Sequence, residues 1–439
     1  MPHPISRRTL LGTGAAALAA PAVLAQGGAQ RITFAFAPDE SGAIQALIDG
    51  FNASQGEVEV VWREAPEESD AFFRTLVSDF EAGATDLDVF GADVIWTPEL
   101  AENDWVRDVS GRLYDDLPTE AMLGAALQSA SFRNRFWAVP WYTDAGMLYY
   151  RRDLLEEAGL GPPGTWSELA ETARTVMEAS GLPHGFVFQG GRYEGGVTNA
   201  LEFIWSAGGR AWTPQSEVAG AFGLRVSDPN VIVLNSEAAV AGLAAARSLV
   251  ADGIAPEEVS TFNERDALRV FAAGEAVFMR NWPFAYGLLG TEEFAGITPD
   301  QVGIAQIPTL APEGRSYSCL GGWNLAISRS SRNEDAAWSF IRHAVDAERQ
   351  REMAMQGGFL PTLTDLYDDE ALREAVPVIG LGADALRSAR ARPASTIYSR
   401  LSPRLAIMFN RVLRGEIEPA EAVRTTEAEL RRITRRRAI

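Results

Sequence analysis

The chain contains no lysine, one cysteine and three histidines in 439 residues. Without lysine, a phosphate-cradling glycine loop of the P-loop kind is excluded, and every fixed cation is an arginine. The single cysteine, Cys319, excludes an intrachain disulfide and leaves none near the N-terminus for a lipid anchor. It reads as a small buried hydrophobe. His3, His184 and His343 are too scattered for a His-based metal site or a catalytic triad. No GxGxxG follows a strand and no GxSxG elbow is present. Beyond the N-terminal segment no apolar run is long enough to span a bilayer. Carboxylates are abundant, so counting alone leaves a glycosidase acid/base pair open.

Acidity dominates what is there. Lys plus Arg number 39 against 59 Asp plus Glu, a net charge of −20. Such a surface disfavours nucleic acid and anionic membranes as partners. The basic run Arg431 to Arg437 fits the end of a helix, where cations complement the dipole. The opening "SRRTLLGTGAAALAAPAVLA" pairs Arg7 and Arg8 with an Ala- and Leu-rich segment and a small-residue cleavage site. Residues 1–25 therefore read as a twin-arginine export signal rather than a transmembrane anchor, for which the run is too short. Its removal takes −20 to −22, because Arg7 and Arg8 are its charged residues. The expected product is exported, soluble and not lipid-anchored, retained in a Gram-negative-type periplasm.

At this length two domains are expected. "RITFAFA" reads as a strand and "SGAIQALIDGFNAS" as a helix with Ile44, Leu47, Ile48 and Phe51 on one face. "VEVVWRE", then "DAFFRTLVSDFEAG" with Phe73, Leu76, Val77 and Phe80, then "DLDVFGADVIW" repeat the alternation. That pattern predicts an α/β fold, a mostly parallel sheet flanked by helices. It restarts after residue 150: Thr165 with Glu168 forms a capping box for a helix, followed by the strand "GFVFQG" and the helix "TNALEFIWSAGG". Two α/β units without a long Pro/Gly/Ser hinge predict strands that cross directly between them.

One stretch resists a purely structural account. In "WYTDAGMLYY", Met147 to Tyr150 reads as a buried strand, with one of Tyr149 and Tyr150 on its core face. Trp141, Tyr142, Thr143 and Asp144 before it combine rings with a carboxylate, and burying an unpaired carboxylate is expensive. They are expected to line a cleft ahead of the strand, with Gly146 giving the backbone room to bend. Trp96, Trp141, Trp282 and Trp323 all fall near strand ends, with Asp93, Asp144 and Arg280 close in sequence. Ring faces with carboxylates and guanidinium groups are what a sugar needs. For any one tryptophan, ordinary core packing is the alternative.

The ordered set "SGAIQALIDGFNAS", "DVIWTPELAENDWVRDVS", "WAVPWYTDAGMLYYRRDLLEEAGLGPPGTWSELAETA", "VFMRNWPFAY", "GGWNLAIS" and "GGFLPTLTDLY" resembles an extracellular solute-binding protein of an ABC sugar importer. It is most similar to the trehalose/maltose, α-glucoside-binding branch. The resemblance implies the two-lobe periplasmic-binding-protein fold with its ligand cleft between the lobes. Residues 26–145 plus 307–346 would form the N-terminal lobe, and 146–306 plus 347–439 the C-terminal lobe. It further implies that Glu40 and Ser41 reach sugar hydroxyls at the first helix start, and that Asp93 accepts from them. Tyr142 and Asp144 would sit at the crossover, Trp282 and Trp323 would stack on sugar faces, Gly322 would offer a backbone donor, and Arg392 would close over the ligand. "ARPAS" lacks the second proline of that branch, which leaves the placement of the Arg392 loop open. Tyr193 and Glu194 either line the site or order a loop. The implied activity is binding without catalysis of a glucose-containing disaccharide such as trehalose, maltose or sucrose. The implied partners are that sugar and the permease's transmembrane subunits; no cofactor or metal is implied, and the protein is expected to be a monomer. Two alternatives stand beside this: a receptor for another glycoside or an anionic sugar, hinted at by Arg392 and Arg280, and a secreted glycoside hydrolase.

Overall fold

The computed structural model describes residues 29–214 and 230–435. Residues 1–25, expected to be an export signal, and the last residues of the basic tail lie outside them. Among the described residues fourteen strands follow one another: β1 (Gln30–Phe36), β2 (Val58–Glu64), β3 (Val89–Asp93), β4 (Ser131–Phe132), β5 (Arg135–Phe136), β6 (Val139–Ala145), β7 (Met147–Arg151), β8 (His184–Val187), β9 (Trp212–Pro214), β10 (Asn230–Ile232), β11 (Ala276–Asn281), β12 (Val302–Ala305), β13 (Leu320–Ile327) and β14 (Leu360–Pro361). A six-stranded sheet has the order β14-β6-β13-β3-β1-β2, and a four-stranded sheet the order β12-β7-β11-β8. The pairs β4–β5 and β9–β10 are separate antiparallel ribbons.

Both sheets are mixed, for a reason that sets up the site. β1 runs parallel to β2 and β3, while β13 runs antiparallel to β3 and β6. In the second sheet β8 and β11 are parallel, and β7 is antiparallel to β11 and β12. β13 and β7 are the strands that arrive from the other sheet. A chain entering a lobe from the interface must run away from it, opposite to strands whose carboxyl ends face that interface. The carboxyl ends of β1, β3, β6 and β11 thus converge from two sides on one cleft, the place where open α/β sheets bind ligands.

Helices cover both sheets, as the periodicity predicts. Ala43–Ser54 buries Ile44, Leu47, Ile48 and Phe51, and Ser69–Glu81 buries Phe72, Phe73 and Leu76. The capping box of Thr165 and Glu168 opens the helix Trp166–Ser180. The helix Pro419–Arg435 ends with Arg432 and Arg435 in its last turn. The tail beyond residue 347 packs mostly with the second lobe, but one stretch departs from expectation. β14 pairs with β6 through Leu360 and Pro361, and Met353 and Phe359 join the first lobe's core.

The crossover at Gly146 also differs from expectation. Residues 141–144 belong to β6 itself, not to a loop ahead of a strand, and Gly146 is not among the positive-φ glycines. Its smallness answers a different need: an added Cβ would lie 2.1 Å from Glu202 Oε1 and 2.5 Å from Arg280 Nη2. Those two groups form an ion pair, 2% and 1% exposed respectively, with Nε donating to Oε2 at 2.8 Å and Nη2 to Oε1 at 2.6 Å. The backbone N–H of Cys319, on the return crossover, donates to Oε1 of the same carboxylate at 2.9 Å. Burial opposes the Arg280 charge, but Glu202 outweighs it and the guanidinium's pKa is raised. Glu202→Gln should cost about 3–5 kcal/mol in urea unfolding, because it leaves a buried cation uncompensated. The double variant Glu202→Gln/Arg280→Met should lose less, and an additive loss would refute the pairing.

Candidate functional site

All nine residues expected at the site, Glu40, Ser41, Asp93, Tyr142, Asp144, Trp282, Gly322, Trp323 and Arg392, are brought together by the fold along one cleft between the lobes, of about 1290 Å³ including open solvent. β6 contributes by alternation. Tyr142 and Asp144 face the cleft, whereas Trp141 packs into the core against Phe34 and Phe36. The expectation that Trp141 and Thr143 line the cleft is thereby corrected. Trp96 is likewise core, edge-on to Phe72 and Trp323. It backs the site without entering it. Tyr149 is the core member of its pair and donates its hydroxyl to the Trp282 carbonyl at 2.8 Å.

β13 brings Gly321, Gly322 and Trp323 opposite Asp144, Thr143 and Tyr142. Gly322 holds φ at +115°, and a Cβ there would stand 2.5 Å from the Tyr142 carbonyl oxygen, so no other residue fits. The Trp323 ring is held edge-on by Phe36 and Trp96 and stacks on Phe72 at 6.1 Å. Trp282, at the end of β11, donates its indole N–H to Glu264 at 3.2 Å, with the Arg280 guanidinium 4.0 Å from its ring centre. A tryptophan fixed at its N–H and along one side presents a defined surface to the cleft.

Several expected roles change once contacts are known. Arg392 does not reach freely over the cleft. Its Nη1 donates to Glu194 at 2.7 Å and its Nη2 to Asp93 at 3.1 Å, tying a first-lobe strand end to a second-lobe helix start. Its Nε is buried without a partner. Asp93 also accepts from Ser69 Oγ at 2.7 Å and from the Ile95 N–H at 3.2 Å. Glu194 takes further donors from Tyr398, at 2.7 Å, and Ser402, so Glu194 is structural as well as cleft-lining. Glu40 pairs with Arg265 of the second lobe, which also contacts Glu67 at 3.0 Å and Glu293 at 2.9 Å. Ser41 donates to Asp39 at 2.7 Å, and Asp39 also accepts the Ile44 N–H at 2.9 Å, so Asp39 satisfies the helix start. Arg280 and Arg392, the hint of an anionic ligand, are both committed to carboxylates.

Asp144 is the exception to this pairing. Only 7% exposed, its Oδ1 is buried with no hydrogen-bond partner. Burial and then the nearby Asp93 charge hold its carboxyl well above the ordinary carboxylate range, against the pull of Arg280 and Arg392. Asp144 in its ionised form in turn helps raise the phenol pKa values of Tyr142, Tyr149 and Tyr367, each pushed up first by burial. Sequence reading missed Asp39, Glu67, Glu68, Asn263, Glu264 and Arg265 as cleft residues. Asn263 and Asp266 form a capping box at the start of Glu264–Ala272, a legible signal that places Glu264 and Arg265 on a helix N-terminus. Phe359 also went unanticipated, although its ring lies 4.7 Å from that of Tyr142.

The fold is that of a two-lobe binding protein with a cleft between its lobes. Residues 37–351 match the bacterial extracellular solute-binding protein family, and the chain belongs to that family. It is 35% identical over 378 residues to a probable ABC transporter-binding protein of Deinococcus radiodurans, covering 84% of this chain and 85% of that one. It is 23% identical over 352 residues to a maltotriose-binding protein of Pyrococcus abyssi, covering 79% and 69% respectively. Its fold matches maltose-bound T. maritima MalE3 with a TM-score of 0.83 and 33% identity, over 92% of this chain and 100% of that one. The protein is thus a solute-binding protein and not an enzyme.

Two outcomes follow from the geometry. A carboxyl whose folded pKa is raised contributes stability at acid pH that is lost as pH climbs from its unfolded value toward its folded one. Asp144→Asn should therefore stabilise the ligand-free protein at neutral pH by about 1–3 kcal/mol, the scale of a buried unsatisfied group. Urea titrations should show that gap closing near the unfolded carboxylate value of about 4; a destabilised variant at neutral pH would refute the unpartnered carboxyl. Arg265→Ala should open the ligand-free protein, seen as a larger radius of gyration in small-angle scattering, and unchanged scattering would mean the Arg265 contacts hold nothing closed.

Proposed function

We propose that this protein is the exported, periplasmic receptor of an ABC importer and that it captures a glucose-containing disaccharide of the trehalose, maltose or sucrose class. One observation carries the reading: Tyr142, Trp282 and Trp323 line one inter-lobe cleft together with Asp93, Asp144 and Glu264. Rings cover the C–H faces of a pyranose, and carboxylates accept from its hydroxyls. The similarity to proteins named for maltose and maltotriose binding supports the same class. The proposed site comprises the nine residues named from sequence, with Asp144 and the two tryptophans in direct contact and Asp93 and Arg392 holding the lobes in register.

Binding performs no chemistry. Ligand touching both lobes favours the closed form by its differential affinity for that form, and closure presents the lobe tips to the permease's transmembrane subunits. Arg265 with Glu40 and Glu67, and Arg392 with Asp93 and Glu194, already link the lobes, so ligand has only part of the closure energy to supply.

A thermal-shift screen over a sugar panel tests the class. A ligand at 100 times its dissociation constant should stabilise the protein by about 2.7 kcal/mol; a panel of disaccharides with no shift would sink the proposal. Trp323→Ala and Asp144→Ala should each weaken the selected sugar by at least about 2 kcal/mol in calorimetry, the scale of a buried anchor. Unchanged affinity in both would remove the proposed site.

A further inference from the structure

The charge on the cleft walls is far from balanced. The first lobe lines it with Asp39, Glu40, Glu67, Glu68, Asp93 and Asp144, and the second adds Glu194 and Glu264. Against these eight carboxylates stand two lining arginines, Arg265 and Arg392. Both are engaged by the protein's own carboxylates, with only the buried Nε of Arg392 left without a partner. Arg265 is spent on Glu40, Glu67 and Glu293, and Arg392 on Asp93 and Glu194. Arg280, behind Trp282, is neutralised by Glu202.

The remaining acids differ in what occupies their oxygens. Asp39 accepts from Ser41 and Ile44, and Glu264 from Tyr193 at 2.6 Å and Trp282 at 3.2 Å. Glu68 has the Asn263 side chain as a hydrogen-bond partner. Asp144 alone among them has a buried oxygen, Oδ1, with no donor, and the residue lines the cleft beside Gly321, which also faces the Trp282 ring. Asp144, beside Asp93, is left with acceptor capacity that no donor fills, and burial holds back its ionised form, which Arg280 and Arg392 offset only in part. A neutral hydroxyl would supply a donor but no charge. A protonated amine would supply up to three donors and an opposite charge in one group, adding a Coulombic attraction in a dry site that a hydroxyl's hydrogen bond lacks and so favouring the ionised form of Asp144. A carboxylate in the same place would meet repulsion from several sides.

We infer that the cleft is a charge filter centred on Asp144, which rejects acidic sugars and binds amine-substituted glucosides more tightly than their neutral parents. This inference rests on the sugar-receptor reading above and adds a ligand class to it. It makes Asp144 the residue that sets charge preference, as distinct from the rings that set shape.

Calorimetry at a pH below the amine's pKa tests it with disaccharides of one skeleton: trehalose and maltose, their mono-aminated forms substituted at each position in turn, the N-acetylated forms, and the corresponding uronic acids. At least one aminated disaccharide should bind about tenfold tighter than its parent. That advantage should vanish on N-acetylation, above the amine's pKa, and in Asp144→Asn, and the uronic acids should give no measurable heat. If every aminated form binds no better than its parent, or if the advantage survives in Asp144→Asn of unaltered secondary structure, the charge filter is wrong while the receptor reading stands. Tight binding of a uronic acid would overturn it equally. If no saccharide of the panel binds, the receptor reading itself fails and takes the filter with it.

Discussion

The buried ion pair of Arg280 and Glu202 is the contact on which the geometry of this protein turns. It lies against Gly146, where the chain leaves the first lobe, and accepts the N–H of Cys319, where the chain returns. Arg280 also lies beside the ring of Trp282 at the cleft wall. One fully dehydrated pair therefore fixes both crossovers and orients a ring of the site. Such pairs rarely add net stability over an apolar substitute, but they penalise any arrangement that separates them. Here that penalty falls on misplacing the two lobes relative to each other, which is the property a closing cleft depends on.

Around that fixed point the cleft carries two kinds of charge. Some carboxylates serve the fold: Asp39 satisfies a helix start, Glu194 gathers Arg392, Tyr398 and Ser402, and Asp93 holds Ser69 and Arg392. Others are held at a cost, Asp144 above all. A binding site is expected to contain groups that the empty protein leaves unsatisfied, because their satisfaction by ligand is where affinity and specificity arise. The same contrast separates the aromatic residues: Trp96 and Trp141 build the wall, and Trp282 and Trp323 face the space it encloses.

The fold was legible where periodicity is long and local. The helices Ala43–Ser54, Ser69–Glu81 and Trp166–Ser180 follow from apolar spacing and from the Thr165 capping box. The nine cleft-lining residues were named from the resemblance to sugar receptors. Of them only Asp93, Asp144, Trp282 and Trp323 also stood out by falling near strand ends, and the same signal pointed to Trp96 and Trp141, which are core. Less legible were contacts between residues distant in sequence. Arg392 and Glu194 lie 198 positions apart, and no local pattern ties them or assigns the arginine to the protein instead of the ligand. Glu264 and Arg265 were hidden for a similar reason: on their own helix they are ordinary first-turn polar residues. The return of Leu360 and Pro361 to the first sheet could not be read from two apolar residues.

Taken alone, the sequence determined an acidic, lysine-free chain with alternating strands and helices, and rings beside carboxylates near strand ends. These are local properties, set by residue type and spacing. Only the tertiary structure decided which side of β6 faces the cleft, because a strand's two faces become distinct when one of them is packed. It decided that Gly146 makes room for a buried ion pair. It also decided which charges cancel. Arg265, Arg280 and Arg392 find their carboxylates across the fold, and what is left over is Asp144, buried, unpartnered and facing the ligand space.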